Sequence, residues 1–191
     1  NRTRESFQKM KEDPGFSYRC GLFALHHVAG VLPGRRYDPK ALIYQKSPAT
    51  GFSLQALAEL AEQQKLGLIA VRRSAGRELV VPSVIHWRQN HYAALLGQKG
   101  EFYQVIDPTF GAPQWLSAQA LNAEASGHFL IPAADLPAQW TRLTAAQAAQ
   151  VFGRGVANVF SDGDDQLCLA DCARCPAGQE SHACAGCAGV G

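Results

Sequence analysis

The chain has 191 residues, 47% of them hydrophobic and 18% charged, which is enough for one well-filled domain with an appendage. Its net charge of +2 comes from 18 basic and 16 acidic residues without a basic stripe among aromatics, which disfavours a nucleic-acid partner. No apolar stretch approaches the length of a membrane span, and the first residues given do not show the charged and apolar regions of a signal peptide. Because the chain begins at Asn1 without an initiator Met, we expect it to be an excised or processed piece of a longer polypeptide.

The first half of the chain predicts helices over residues 20–31, after Asp38, and from Ser53 to near Gly67. The first of these is an apolar run that a Pro-Gly pair ends. The later two follow an Asp and a Ser, residue types that accept hydrogen bonds from the free N–H groups of a first helical turn. The helix after Ser53 is amphipathic, so we expect it to pack on the core.

From residue 68 onward, short apolar runs separated by turns predict strands. Three of these runs follow one another closely, which is typical of an antiparallel meander. A Ser ahead of an Ala-rich run predicts one further short helix. The predicted strands are 68–71, 80–87, 91–96, 102–106 and 128–131, and the helix after Ser117 covers 118–125.

The composition changes after Pro132, where Ala, Gln and Gly replace the apolar runs and a dense group of cysteines follows. We therefore divide the chain into four segments. They are an N-terminal lead-in (1–13), the main domain (14–132), a linker (133–167) and a Cys-rich segment (168–191).

Cys20 is the only cysteine in the first 167 residues, and it opens the predicted helix 20–31. The unpaired N–H groups and the positive dipole end of a first helical turn stabilise a thiolate, so this position favours a nucleophile. Cysteine is also among the most buried residue types, so a small core side chain is the alternative interpretation.

A thiol nucleophile needs a base within hydrogen-bonding reach and a third group that orients the base. His91 begins one predicted strand and Asp107 follows the next, and adjacent antiparallel strands bring such positions side by side. We predict that Cys20 lies at one ring nitrogen of His91 and Asp107 at the other. Taken alone, His91 could be a core histidine, and Asp107 before a proline could be a turn former.

Together these residues resemble the papain-like cysteine peptidase domain of bacteriocin-processing transporters, which cuts leader peptides after a double glycine. The resemblance covers about residues 14–131 and rests on Cys20-Gly21, His91-Tyr92 and Asp107-Pro108 followed by Gly111. It implies an α+β, papain-like fold in which a central N-terminal helix carrying the Cys packs on an antiparallel sheet, here with a Cys-rich C-terminal extension. It also implies a catalytic triad in which Cys20 is the nucleophile, His91 the general base and Asp107 the residue that orients the imidazole.

Several longer stretches of the sequence, given at the end of this paragraph, resemble the version of this domain that precedes RHS/YD-repeat regions in large bacterial proteins. The resemblance implies a peptide or protein substrate, which we expect to be the rest of the chain's own parent polypeptide. The family cuts after small residues, so we expect processing in cis at a glycine site and interpret Gly191 as the end left by such a cut. The sequence does not specify a location, and export or display on the cell surface would fit such a parent. The matching phrases are Tyr18-Arg19-Cys20-Gly21, Ser53-Leu54 with 57–61, Val81-Pro82 with His86-Trp87, 91–95 and 107–111.

The chain departs from the family ahead of the nucleophile. Pro14 stands where the family has the Gln that helps to form the oxyanion hole, and Arg19 stands where it has an Asp. Gln8 is the only Gln before Cys20, and it could serve as oxyanion donor only if the segment between Gln8 and Cys20 forms a loop. Since losing one such donor costs on the order of 10²–10³ in rate, the alternative is a weak or inactive peptidase-like module that binds, packs or caps within an RHS/YD-repeat protein.

The Cys-rich segment contains two Cys-x2-Cys pairs, Cys172 with Cys175 and Cys184 with Cys187. Such pairs favour a structural zinc ion, because each presents two thiolates to one metal. With Cys168 the segment has five cysteines, so two disulfides with one cysteine left over compete with zinc if the protein is exported. Free thiols are the third interpretation. We expect catalysis to need no cofactor. Four of the five other histidines, His26, His27, His86 and His128, are expected to have structural roles, and His182 lies in the Cys-rich segment.

Overall fold

A seven-stranded antiparallel sheet organises the computed structural model, which describes residues 14–74, 78–109 and 112–155. The helices are α1 Pro14–Ser17, α2 Cys20–Val31, α3 Pro39–Ile43, α4 Leu54–Gln63, α5 Ala118–Glu124 and α6 Ala145–Ala148, with a 3₁₀ turn at Ala133–Asp135. The strands are β1 Phe52–Ser53, β2 Leu68–Arg72, β3 Ser83–Trp87, β4 His91–Lys99, β5 Phe102–Ile106, β6 Gln114–Ser117, β7 Ala125–Pro132, β8 Thr141–Arg142 and β9 Phe152–Gly153.

The strand order in the sheet is β6-β5-β4-β3-β7-β2-β8, and β1 pairs with β9 in a separate two-stranded sheet. The predicted meander is present as β3-β4-β5, and β6 extends it with a strand that the sequence did not indicate. β7 returns to lie between β3 and β2, so residues far apart in the chain form the middle of the sheet. The predicted α+β class, with the Cys20 helix packed on an antiparallel sheet, is confirmed.

The sheet buries apolar side chains on both of its faces, since successive residues of a strand point to opposite sides. One face packs against α2 and carries Val84 and Ala94, both fully buried. The other face carries Ile85 and Ala93, which belong to a second buried cluster with Phe129. The helix that begins at the Cys20 position is therefore fixed against the centre of the sheet.

The helix starts that the sequence predicted are present with their expected caps. Asp38 Oδ1 accepts a hydrogen bond from the Lys40 N–H at 2.9 Å, which caps α3. Ser53 and Ser117 cap α4 and α5 in the same way. The main shift is in β3, which begins at Ser83 and not at residue 80.

Residues 133–155 are folded onto the domain, whereas the composition suggested a linker there. The segment adds β8 to the edge of the sheet, forms α6 behind a Thr144 capping box, and ends in β9. Trp140 and Ala148 are buried, which explains why the segment holds its place. Small residues of this segment, such as Ala148, pack into the domain, although its content of Ala, Gln and Gly predicted a polar, flexible linker.

Several predicted features lie outside the described residues, among them Gln8, the paired cysteines and Gly191. Within residues 14–74, 78–109 and 112–155, no helix is long and apolar enough to cross a membrane. The same part of the chain contains no group of three or more His, Cys, Asp or Glu that could hold a metal ion.

Gly21 lets α2 approach the sheet closely, and this gives a test of the packing. A Cβ added at Gly21 would lie 2.7 Å from Leu57 Cδ1 and 3.1 Å from Tyr92 Cδ2, whereas one at Gly30 would lie 3.7 Å from the Tyr37 hydroxyl. Gly30→Ala should stabilise the chain by about 0.5–1 kcal/mol through helix propensity. Gly21→Ala should instead destabilise it by about 1–2 kcal/mol through overpacking.

Urea unfolding of both variants measures this difference in the free energy of unfolding. Equal stabilisation by the two substitutions would show that the contact of Gly21 with α4 and β4 is looser than described.

Candidate active site

Cys20 is the first residue of α2 and is fully buried. The residue before it, Arg19, is also buried and fixes the approach to the helix. Its Nη1 donates to the Ile43 carbonyl at 2.8 Å, and its guanidinium lies 5.5 Å from the centre of the Phe23 ring. Arg19, the departure from the family pattern, therefore anchors the chain between α3 and the helix that carries the thiol.

His91 and Asp107 lie side by side, because β4 begins at one and β5 ends just before the other. The pairing of Ala94 with Ile106 sets this register. His91 Nε2 and Asp107 Oδ1 are 2.7 Å apart, and both side chains are nearly buried. Asn90, in the turn that leads into β4, has φ of 57°, a conformation that Asn tolerates better than most residues.

Thr109 is a site residue to which the sequence analysis gave no role. Its backbone N–H donates to Asp107 Oδ1 at 2.8 Å, and its hydroxyl oxygen lies 3.2 Å from His91 Nε2. The carboxylate is therefore held from two directions. An Asp-x-Thr sequence after a strand is the local signal for such a turn, since Asp side chains accept from the N–H two residues on.

The second ring nitrogen of His91, Nδ1, is buried and has no hydrogen bond of standard geometry within the described residues. The Cys20 thiol lies close enough to the imidazole to raise its pKa. Asp107 occupies the other ring nitrogen, Nε2. The structure thus brings Cys20, His91 and Asp107 together.

The pKa values of the pair follow from this arrangement. Burial by itself lowers the pKa of His91, but the hydrogen bonds to Asp107 and Cys20 and the negative charges of both raise it to about 9. Burial raises the pKa of Asp107, but the His91 hydrogen bond and charge and the Thr109 hydrogen bonds outweigh it, so the net shift is downward. The geometry therefore favours a protonated imidazole beside an ionised Asp107 carboxylate.

His86 lies beside the site and has the structural role expected for it. Its Nδ1 is 2.8 Å from the Ser126 hydroxyl, and its Nε2 is 2.8 Å from the Phe152 carbonyl oxygen. The pKa of His86 is lowered to about 4, mainly by burial. The hydrogen bond to the Phe152 carbonyl raises this pKa, whereas the charges of His128 and His91 lower it. A neutral ring whose Nε2–H donates to Phe152 satisfies both contacts.

This arrangement can perform nucleophilic chemistry on a carbonyl group. A thiol at Nδ1 can give its proton to the imidazole, which Asp107 keeps in one orientation through Nε2. Of the two donors that the family resemblance implies, the Cys20 backbone N–H is present at the start of α2, and Gln8 lies outside the described residues. None of the described site residues forms a metal-binding cluster.

The raised pKa of His91 predicts how stability depends on pH. A His with a folded-state pKa of about 9 and an unfolded value near 6.5 contributes stability that is fully present below about pH 6.5 and is lost as pH rises through about 9. The excess stability of the native chain over His91→Gln should therefore shrink between about pH 7.5 and pH 10.

Urea unfolding of both chains across this range measures the difference. The pKa values of His26, His27, His86 and His128 are lowered, so these residues are neutral throughout this range and do not contribute. A constant difference between the two chains would contradict the ion-pair geometry.

Comparison with known proteins places this site in a family. The N-terminal peptidase C39-like domain of a toxin-secretion ATP-binding protein from Vibrio parahaemolyticus aligns with 65% of this chain and 97% of its own, at 16% identity and TM-score 0.46. A double-glycine-motif protease from an AMS/PCAT transporter, solved with its leader peptide, aligns with 65% of this chain and 84% of its own, at 21% identity and TM-score 0.40. No curated protein matches. The model of the peptidase C39 family matches residues 15–136, well over half of the chain and all three residues of the site, so the chain belongs to the peptidase C39 family.

Proposed function

We propose that the chain is a cysteine endopeptidase in which Cys20 is the nucleophile and His91 the general base. Asp107 is a positioning residue that orients the imidazole. The observation that carries the proposal is the 2.7 Å contact between His91 Nε2 and Asp107 Oδ1, which leaves Nδ1 to the thiol. The hydrogen bonds and charges of Asp107 and Cys20 raise the pKa of His91, and a protonated His91 is what a thiolate–imidazolium pair requires.

The reaction then follows in two steps. The Cys20 thiolate attacks a peptide carbonyl carbon, and the imidazolium of His91 gives its Nδ1 proton to the leaving nitrogen as the C–N bond breaks. The thioester that remains is attacked by a water molecule, from which His91 takes a proton. The C–S bond breaks, and a carboxylate and the free thiol result.

We propose that the substrate is an extended peptide segment with glycine at the site of cleavage, within the larger bacterial polypeptide to which the chain belongs. Cys20 is fully buried and the Nδ1 atom of His91 is shielded from solvent, so little room remains beside them. Glycine suits such a groove, because without a Cβ the backbone can pass close to the thiol. An RHS/YD-repeat parent and a cut after Gly191 remain parts of this proposal.

A second candidate is a peptidase-like module that binds or packs without cutting. Two departures from the family pattern favour this second candidate. Pro14 stands in place of the Gln that helps to form the oxyanion hole, and Arg19 stands in place of the Asp before the nucleophile. The Arg19 side chain donates to the Ile43 carbonyl, which is a structural contact. A missing oxyanion donor slows the reaction without displacing the thiol and the imidazole from each other.

The reactivity of Cys20 separates the two candidates. In a peptidase, alkylation of Cys20 by iodoacetamide near neutral pH should slow at least tenfold in His91→Ala and less in Asp107→Asn, because the thiolate loses its cationic partner. Peptide cleavage should fall by on the order of 10³–10⁴ in Asp107→Asn, where the imidazole loses its orientation. Intact mass spectrometry follows both reactions.

Asp38→Asn is the matched control, since Asp38 is exposed and Asn also caps a helix. It should leave both rates unchanged. If Cys20 is alkylated at the same rate in the native chain and in His91→Ala, the peptidase proposal fails and the packing module is supported.

We also propose a structural zinc ion on Cys172, Cys175, Cys184 and Cys187, residues outside the described part of the chain. Four thiolates in two Cys-x2-Cys pairs match the ligand set that zinc prefers. Native mass spectrometry under reducing conditions should find one zinc per chain, and Cys184→Ser should remove it. A mass lower by four hydrogens without reductant, and no metal with it, would support two disulfides instead.

A further inference from the structure

The chain's own residues 151–155, here called the closing segment, lie across the candidate active site. The segment enters through β9, which pairs with β1 so that Phe52 faces Gly153 and Ser53 faces Phe152. The carbonyl oxygen of Val151 accepts from the Leu54 N–H at 2.7 Å and from the Tyr92 hydroxyl at 3.0 Å. Backbone pairing of this kind is how an extended peptide binds to a strand edge.

The next residues carry the segment toward the imidazole. The Phe152 carbonyl faces His86 Nε2, and the Arg154 N–H donates to the carbonyl of Asn90 at 2.7 Å. Asn90 immediately precedes His91, so the backbone at Arg154 is held beside the general base. The Arg154 side chain turns outward, and its Nε donates to the Thr50 carbonyl at 2.9 Å.

Gly155 lies directly against the imidazole of His91. A Cβ at Gly155 would collide with the ring, and its nearest atom would be Nδ1, the nitrogen that the proposed function assigns to Cys20. A Cβ at Gly153 would likewise collide with the Tyr92 ring. The two glycines are what allow this backbone to pass through the site. Gly155 also accounts for the burial of Nδ1, which has no standard hydrogen bond there.

We propose that the closing segment is a substrate of the site itself, and that the Arg154–Gly155 peptide bond is cut in cis. This inference rests on the proposed function and adds, beside the proposed cut after Gly191, a particular bond within the described residues. The amide nitrogen of Gly155 is bonded to the Cα that touches the imidazole at Nδ1, where a leaving nitrogen must receive its proton. The carbonyl carbon of Arg154, on the other side of that bond, is the atom attacked.

The chemistry balances as follows. Cys20 Sγ forms a thioester with the Arg154 carbonyl carbon, and the Gly155 nitrogen leaves as an amine after taking the Nδ1 proton. Water then hydrolyses the thioester. The products are residues 1–154 with a new carboxylate and residues 155–191 with a new amino group.

The experiment is to purify the 191-residue chain under reducing conditions and to follow its intact mass over time, beside Cys20→Ala. We expect the native chain to yield the fragments 1–154 and 155–191, and Cys20→Ala to remain whole. The rate should not change over a tenfold dilution, because the bond is already in the site. Cys20→Ala mixed with the native chain should remain uncut.

Two glycine substitutions form a matched pair. Gly155→Ala should slow the cut at least tenfold, because its Cβ collides with the imidazole. Gly97→Ala, on the same strand as His91, places its Cβ an ordinary 3.7 Å from Gln104 and should leave the rate unchanged. Arg154→Ala, which loses only the side-chain bond to Thr50, should slow the cut a few-fold.

The other outcomes distinguish this inference from the proposed function. A break at another bond, a cut of the Cys20→Ala chain by the native one, or an equal effect of the two alanine substitutions overturns the inference. An intact chain with a Cys20 whose alkylation depends on His91 overturns the inference and leaves the peptidase proposal standing. An intact chain without that dependence overturns both.

Discussion

The placement of the His91 imidazole is the constraint on which the site depends. One ring nitrogen is bonded to Asp107, and this bond leaves the other nitrogen without a hydrogen bond of standard geometry among the described residues. This bond depends on the register of β4 and β5, which sets the ends of the two strands side by side. The thiol lies near the imidazole because α2 packs tightly on β4. A shift of one residue in that register would turn His91 to the opposite face of the sheet.

Two neighbouring histidines show how much the partners of a buried ring matter. Burial lowers the pKa of both His91 and His86, and for His86 it prevails, so that ring stays neutral and holds the Phe152 carbonyl. For His91 the charges of Asp107 and Cys20 prevail, and the ring becomes a cation. The difference lies in which groups face the ring, since both side chains are largely removed from water.

Local sequence predicted those parts of the fold that local interactions determine. Asp38 and Ser53 cap helices where expected, and short apolar runs between turns located β4 and β5. The return of β7 to the middle of the sheet joins residues distant in the chain, and no local pattern encodes it.

The same distinction applies to the site. Cys20, His91 and Asp107 could be found because their chemistry limits the residue types, whereas Thr109 acts only through its backbone N–H on Asp107 and its hydroxyl on His91. Residues 133–155 were the largest difference, because buried alanines such as Ala148 carry no signal that separates them from a flexible stretch. Their position depends on contacts with β1 and β2 that only the folded domain provides.

The pairing of β1 with β9 has a consequence for the order of folding. It joins two short strands, and the nearby Arg154–Thr50 hydrogen bond spans 104 positions of the chain. Contacts between residues so far apart in sequence outweigh the entropic cost of loop closure only after the intervening strands have brought both ends together. Because few backbone bonds hold residues 151–155, we expect this segment to open locally more readily than β3 and β4 separate. On this expectation the paired strands form first, and the segment covers the site afterwards.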